Sequence, residues 1–143
     1  REGSFLQLVA GAAHAPLLFT SAVTGQGLRE VLDAAQRVAE GVNRRVDTAL
    51  VNRAVREAVD RQSPPSRGGR ALKILYATQV SVRPPTIVLF VNDPKLAPEP
   101  YCRFLESHLR TELYEPGVPI RLYLRARERR TLSGGRRIRS KRR

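Results

Sequence analysis

Apolar and polar positions along this chain repeat with two periods. Leu28, Val31, Leu32, Ala35, Val38, Ala39 and Val42 recur at spacings of three and four, and Arg29, Glu30, Asp33, Arg37 and Glu40 fall between them. That spacing predicts a helix with one apolar stripe and one solvated face. A second stripe, Leu50, Val51, Ala54, Val55, Ala58 and Val59, is opposed by Asn52, Arg53, Arg56, Glu57, Asp60 and Arg61. Asp47 or Thr48 caps its start, and Pro64-Pro65 stops it, since proline lacks the amide donor and disfavours a helical predecessor. A third helix is predicted from Pro98 or Glu99, with Tyr101, Phe104, Leu105, His108, Leu109 and Leu113 on one face and Gly117 as its breaker.

Between and after the helices the period changes to two. Leu72, Ile74, Tyr76, Thr78 and Val80 alternate with Lys73, Leu75, Ala77 and Gln79. Residues 86–91, TIVLFV, form a more buried strand rich in β-branched residues. The short Val82-Arg-Pro-Pro85 connection makes these two antiparallel. In residues 119–125, Ile120, Leu122 and Leu124 point one way, and Arg121, Tyr123 and Arg125 the other. Residues 63–70 read as a polar loop. Upstream, Pro16 to Ser21 reads as a short buried strand, Thr24-Gly-Gln-Gly27 as a tight turn, and the first helix follows. The expected fold class is α/β (α+β): from Thr48 an α-β-β-α-β order, with both helices on one face of a three-stranded sheet, preceded by a strand-helix piece. One strand and one or two helices cannot make a doubly wound sheet, so that piece reads as the end of a larger domain.

Composition adds a partner class. The chain has 143 residues, 41% of them hydrophobic, and 26 Lys and Arg against 13 Asp and Glu. Its isoelectric point is near 11.4. Arg125 to Arg143 hold ten of the basic residues and one acid, Glu128, so this stretch carries nine of the thirteen net positive charges. Clustered Lys and Arg on a folded body point to a polyanion, RNA or DNA first, because a phosphate backbone rewards them by counterion release. The competing reading is a solvated, disordered terminus. A membrane-surface segment fits less well, with only Leu132 and Ile138 to bury, and no apolar run approaches a membrane span. The Phe5 to Ala13 patch lacks the charged region of a signal peptide. Absence of an initiator Met suggests a fragment or a processed chain. A single cysteine, Cys102, excludes an internal disulfide framework, and His14 and His108 do not suggest a metal cluster. A reducing, cytoplasmic compartment is expected.

No catalytic constellation emerges. G-x-x-x-x-G-K-[ST], G-x-S-x-G and H-E-x-x-H are all absent from the sequence. The acids sit at charge-paired spacings on helix faces. Cys102 and His108 fall on or beside the stripe of the third helix and read as core residues. Ser133-Gly-Gly135 reads as a flexible break between basic clusters. The third strand is the candidate site: an aromatic between arginines on an open sheet face can stack a base and hold phosphates. The alternative for that face is cover by another domain.

Several motifs together carry a resemblance. They are LLFTSAVTGQGL (residues 17–28), NRR (43–45), Leu50-Val-Asn-Arg53, YATQV-x-x-RPPT between Tyr76 and Thr86, FVN (90–92) and GVPIRL (117–122). From about Phe5 to Arg125 the chain resembles the C-terminal part of the EngA (Der) family, bacterial GTPases with two tandem G domains followed by a KH-like domain. The resemblance implies that residues 1–43 are the end of the second G domain, 44–126 the KH-like domain, and 127–143 a basic tail, expected to be disordered. It implies a role in large ribosomal subunit assembly, with rRNA, the large subunit and the protein's own G domains as partners. GTP or GDP and Mg2+ would belong to the full-length family and no cofactor to this chain. Ser21, Ala22 and Val23 would touch guanine beside the rest of the G domain. The phosphate-binding loop, the switches and the N-K-x-D motif are not in this sequence, so the chain alone is expected to be inactive, with no small-molecule substrate. The G-x-x-G loop of an RNA-clamping KH domain is missing too. RNA contacts are instead expected from Arg67, Arg70, Lys73, Arg83, Arg121, Tyr123, Arg125 and Arg127, and from Arg136, Arg137 and Arg139 in the tail. The alternative is a domain that docks only on protein and responds to the nucleotide state of a G domain.

Overall fold

The structure is a computed structural model that describes residues 14–127. The Phe5 to Ala13 patch and the tail arginines Arg136, Arg137 and Arg139 lie outside the described residues. Three helices, α1 (Leu28–Val42), α2 (Thr48–Arg61) and α3 (Glu99–Leu113), accompany five strands. The strands are β1 (Ser66–Arg67), β2 (Arg70–Ala71), β3 (Ile74–Val82), β4 (Pro85–Val91) and β5 (Arg121–Ala126). A 3-10 turn, Pro94–Leu96, precedes α3. From α2 onward the expected α-β-β-α-β order is present, with one small hairpin added.

The main sheet has the order β3-β4-β5, antiparallel between β3 and β4 and parallel between β4 and β5. The core lies between one face of this sheet and α2 with α3. Val51, Ala54, Val55 and Ala58 of α2 and Leu105 and Leu109 of α3 meet Ile87, Leu89 and Val91 of β4. Leu122 and Leu124 of β5 pack against the same cluster. Central β4 is buried along most of its length, as its β-branched run predicts.

Helix ends follow local chemistry. Asp47 caps α2 by accepting from the Ala49 N–H at 2.9 Å, and Pro64-Pro65 follow its C-cap, Gln62. The third helix ends at Leu113, with Tyr114 as C-cap, before Gly117 is reached. Gly117 therefore does not terminate it.

Four further features differ from the sequence expectation. Residues 66–71 are a hairpin rather than a loop. Ser66 pairs with Ala71 and Arg67 with Arg70, around Gly68-Gly69 with φ of 58° and 73°. Two successive left-handed residues make the turn whose twist suits a hairpin, and glycine adopts them without strain. Register shifts at Ile74/Tyr76 and Gln79/Ser81 break the simple alternation of β3. Leu72 is buried and Ile74 packs on the core, but beyond the first shift Ala77 and Gln79 turn inward and Tyr76 outward. Residues 16–21 form no strand, and Leu18 and Phe19 are exposed. A strand needs a partner edge, and none of the described strands offers one there.

The fourth difference concerns α1. Its buried residues are Ala34 and Gly41, while Leu28, Val31 and Leu32 of the predicted stripe are exposed. Only its C-terminal half is seated. A Cβ on Gly41 would lie 2.4 Å from Val118 Cγ2, so glycine is what allows this close approach. Asn43, just past the helix, accepts a hydrogen bond from Arg83 Nε in the β3–β4 turn.

Three amides hold these elements in register. Asn52 on α2 donates to the Ala77 carbonyl and accepts from its N–H, both at 2.9 Å, pairing the free edge of β3 as a strand would. Gln79 Oε1 accepts from the Val46 N–H at 2.7 Å, and its Nε2 donates to the Arg44 carbonyl. Asn92 accepts from the Lys73 N–H at 2.8 Å and donates to the Ala71 carbonyl.

Candidate nucleic-acid interface

The sheet face turned away from the helices has no covering element among the described residues, and β-register orders its side chains into three rows. Tyr76, Phe90 and Arg125 form the first, Thr78, Val88 and Tyr123 the second, and Ser81, Thr86 and Arg121 the third. Tyr76 and Phe90 stack with ring centroids 4.3 Å apart and planes 14° apart. Tyr76 is 44% exposed and Tyr123 51% exposed. Val88 between them is 2% exposed. On a face with no covering element, neighbouring strand side chains must close over it. Val80, beside the second register shift, is exposed as well.

The electrostatics of this face are one-signed. Strands β3, β4 and β5 contain no Asp or Glu, and their charged residues are Arg121 and Arg125. The described acids lie on the helices and links, several in pairs with arginine one helical turn away: Arg53–Glu57, Arg103–Glu99 and Arg110–Glu106. Such exposed pairs contribute little stability, but they neutralise the helix side.

The structure sorts the expected contact residues. Arg121, Tyr123 and Arg125 share the open face, as their alternation predicts. Lys73 and Arg127 join the Arg125 end, where the Asn92 N–H donates to the Lys73 carbonyl and the Arg127 N–H to the Val91 carbonyl. Arg67 and Arg70 sit on the hairpin, and Arg70 is 3.5 Å from Asp93. Arg83 lies at the opposite end in the β3–β4 turn, engaged with Asn43. Tyr76, Phe90 and Val88 were missed from sequence. No sequence signal marks the face of Tyr76, because alternation groups it with Leu72 and Ile74 and the register shift between Ile74 and Tyr76 turns it to the other side.

The remaining candidates do not form a reactive site. Burial, then the Glu99 carboxylate, push the Cys102 thiol up, against a smaller opposing backbone hydrogen bond. That disfavours the thiolate a nucleophile needs. His108 is buried with Nε2 unpartnered, and the Tyr114 hydroxyl is likewise buried without a partner. Burial pushes the Tyr114 phenol up, with Arg44 pulling weakly the other way. A cavity of about 260 Å³ lies beside it, lined by His14, Ser107, Arg110 and Thr111 among others. No group of three or more metal-ligating side chains occurs among the described residues, and no described helix is long and apolar enough to cross a membrane. In the Ser21 loop, the Ser21 N–H donates to Gln26 O at 3.0 Å and the Gly25 N–H to Ser21 O at 2.9 Å. Ala22 and Val23 donate to no protein oxygen among the described residues, and Val23 is almost wholly exposed.

Comparison with known proteins converges on one family. Residues 45–125 match the profile described as the KH-domain-like, C-terminal part of EngA bacterial GTPase enzymes. The chain is similar to the GTPase Der of Rippkaea orientalis, 49% identical over 115 residues, which is 80% of this chain and 25% of that protein. It is 46% identical to GTPase Der of a Synechococcus strain over 117 residues, 81% of this chain and 26% of that protein. For GTPase Der of Natranaerobius thermophilus the identity is 44% over 117 residues, 82% of this chain and 27% of that protein. The chain thus spans about a quarter of the length of these curated relatives. The fold from α2 to β5, the amide brackets set on its motif residues and these matches agree: the chain belongs to the EngA (Der) family of bacterial GTPases, with its KH-like unit across residues 45–125.

Proposed function

We propose that this chain is the rRNA-contacting module of a cytoplasmic GTPase that acts in large ribosomal subunit assembly. The observation that carries this reading is the acid-free sheet, whose open face lines up Arg121, Tyr123 and Arg125. Lys73 and Arg127 extend the positive charge at one end, and the hairpin arginines Arg67 and Arg70 stand beyond them. Phosphates neutralise such a surface and release counterions. The tail arginines Arg136, Arg137 and Arg139 add to the same attraction in this reading.

A second contact serves the G domains of the same protein. The exposed strip of Phe19, Leu28, Val31 and Leu32 supports it, because apolar side chains gathered on one helix end mark a surface that gains by being covered. Ser21, Ala22 and Val23 would then lie beside a guanine base, and GTP or GDP with Mg2+ would be held by G-domain residues. Hydrolysis is assigned to those domains and not to this chain. In the docking-only alternative, the sheet face itself seats a G domain and no RNA is touched.

Binding of the chain to large-subunit rRNA across a salt series tests the proposal. The expected result is an affinity falling steeply and log-linearly with salt, by a slope of about 0.7 to 0.9 per neutralised phosphate. Salt-insensitive or absent binding would favour docking on protein.

A further inference from the structure

We propose that the open sheet face is a stacking platform for unpaired bases of single-stranded RNA, with Tyr76 and Tyr123 as its two base seats. This rests on the RNA-contacting reading and names the form of RNA that the face accepts. The geometry supplies three observations that backbone attraction alone does not require. Two tyrosine rings stand exposed on β3 and β5, two strand spacings apart and offset by two residues along the strands, about 12 Å on the diagonal. Tyr76 is braced from one side by Phe90 in a near-parallel stack, so one ring surface is fixed in place without cost at the moment of binding. Val88 fills the ground between them and is closed off from water, giving an apolar floor.

The arrangement fits a single strand better than a duplex or a protein. Bases in a duplex are stacked on one another and cannot reach a flat sheet, whereas splayed bases of a single strand can lie on aromatic rings. Arg121 and Arg125 flank Tyr123 on the same strand face, one position to each side, where the backbone of a strand seated on the rings would pass. The three strands hold no carboxylate to repel it. An apolar protein partner would gain nothing from two flanking arginines left without acids. Recognition here is by ring surface and charge, so it tolerates any sequence.

The chain has four tyrosines and no tryptophan. Tyr101 and Tyr114 are buried, which leaves Tyr76 and Tyr123 as the ones a base can reach. Intrinsic tyrosine fluorescence is therefore a direct reporter. The full chain should be titrated with a uridine oligonucleotide and with an RNA duplex of equal length. The wild type, Tyr76→Leu, Tyr123→Leu, Tyr123→Phe and Arg121→Gln/Arg125→Gln should be compared. The expected result is quenching by the single strand, weaker binding of the duplex, and about five-fold or greater loss for each leucine variant with an unchanged salt slope. Tyr123→Phe, which keeps the ring, should bind as wild type does. Equal binding of duplex and single strand, with the leucine variants unaffected but the arginine pair weakened, would overturn the platform and leave the RNA reading standing. Absence of binding to either RNA would overturn both and give the face to a protein partner.

Discussion

The two faces of one sheet differ in what they ask of their residues. On the helix side, Ala77, Ile87, Leu89, Val91, Leu122 and Leu124 are apolar and covered by α2 and α3. On the other side, Tyr76, Phe90 and Tyr123 are just as capable of burial, yet Tyr76 and Tyr123 stand about half exposed on a face with arginines. The same strands supply both faces by alternation, so backbone and propensity are shared. What separates them is cover: one face is packed under α2 and α3, and the other leaves aromatic rings beside arginines partly exposed. Stability should therefore reside in the first face and binding in the second.

The largest effect is expected from the covered face. Leu105 is fully buried in the core cluster, so Leu105→Ala should cost about 2–5 kcal/mol in chemical denaturation through lost transfer energy and a residual cavity. Next comes Asn52→Ala, which leaves the N–H and carbonyl of Ala77 unpaired at the part-buried free edge of β3. A loss of about 1–3 kcal/mol is expected by the same measurement.

Gly41→Ala should act on a similar scale but in one place. Its methyl would collide with Val118, at about 1–3 kcal/mol of overpacking. The cheapest relief is to lift α1 away. Amide exchange should then quicken across Leu28–Val42 while β3–β5 stay protected. Equal acceleration throughout would mean that α1 is part of one cooperative unit.

The buried phenols give a pH dependence with a definite sign. Burial raises Tyr101 and Tyr114 above the ordinary value of 10.0. Between the unfolded and folded values the native state holds more protons, so stability is fully present below about pH 10 and declines as pH rises past it. Tyr114→Phe removes a buried hydroxyl that has no partner. It should be neutral or stabilising by up to about 1 kcal/mol at neutral pH, and should reduce the alkaline loss. Marked destabilisation would mean that the hydroxyl has a partner. Smallest of all in stability are Arg121→Gln and Tyr123→Leu, within about 0.5 kcal/mol of wild type in thermal melts, though both should weaken RNA binding.

The elements were legible in the sequence because their periods are clean. The apolar stripes of α2 and α3 and the β-branched run of β4 each name their own state. The hairpin was legible in principle, since Gly68-Gly69 between Ser66-Arg67 and Arg70-Ala71 is a two-residue turn signal. Strands of two residues carry no period, so residues 63–70 read as a loop. Two other features depend on neighbours rather than on local pattern. Pro16 to Ser21 has the composition of a strand but no edge to join, and the face of Tyr76 is decided by a register shift that alternation cannot show. The motif residues behind the family resemblance turn out to be largely architectural. Asn52, Gln79 and Asn92 bracket the backbone, while Tyr76 and Phe90, which open two of the same motifs, come together on one face only when the strands are paired.

The most direct test of the central claim is a solution map of the two faces. Tyrosine ring and arginine Nε–H resonances of the full chain should be followed while single-stranded RNA is added. The account predicts that Tyr76, Tyr123, Arg121 and Arg125 shift together, and that Arg53 and Arg103 on the helix side hold still. Movement confined to the helix-side arginines, with the four open-face residues unmoved, would contradict it.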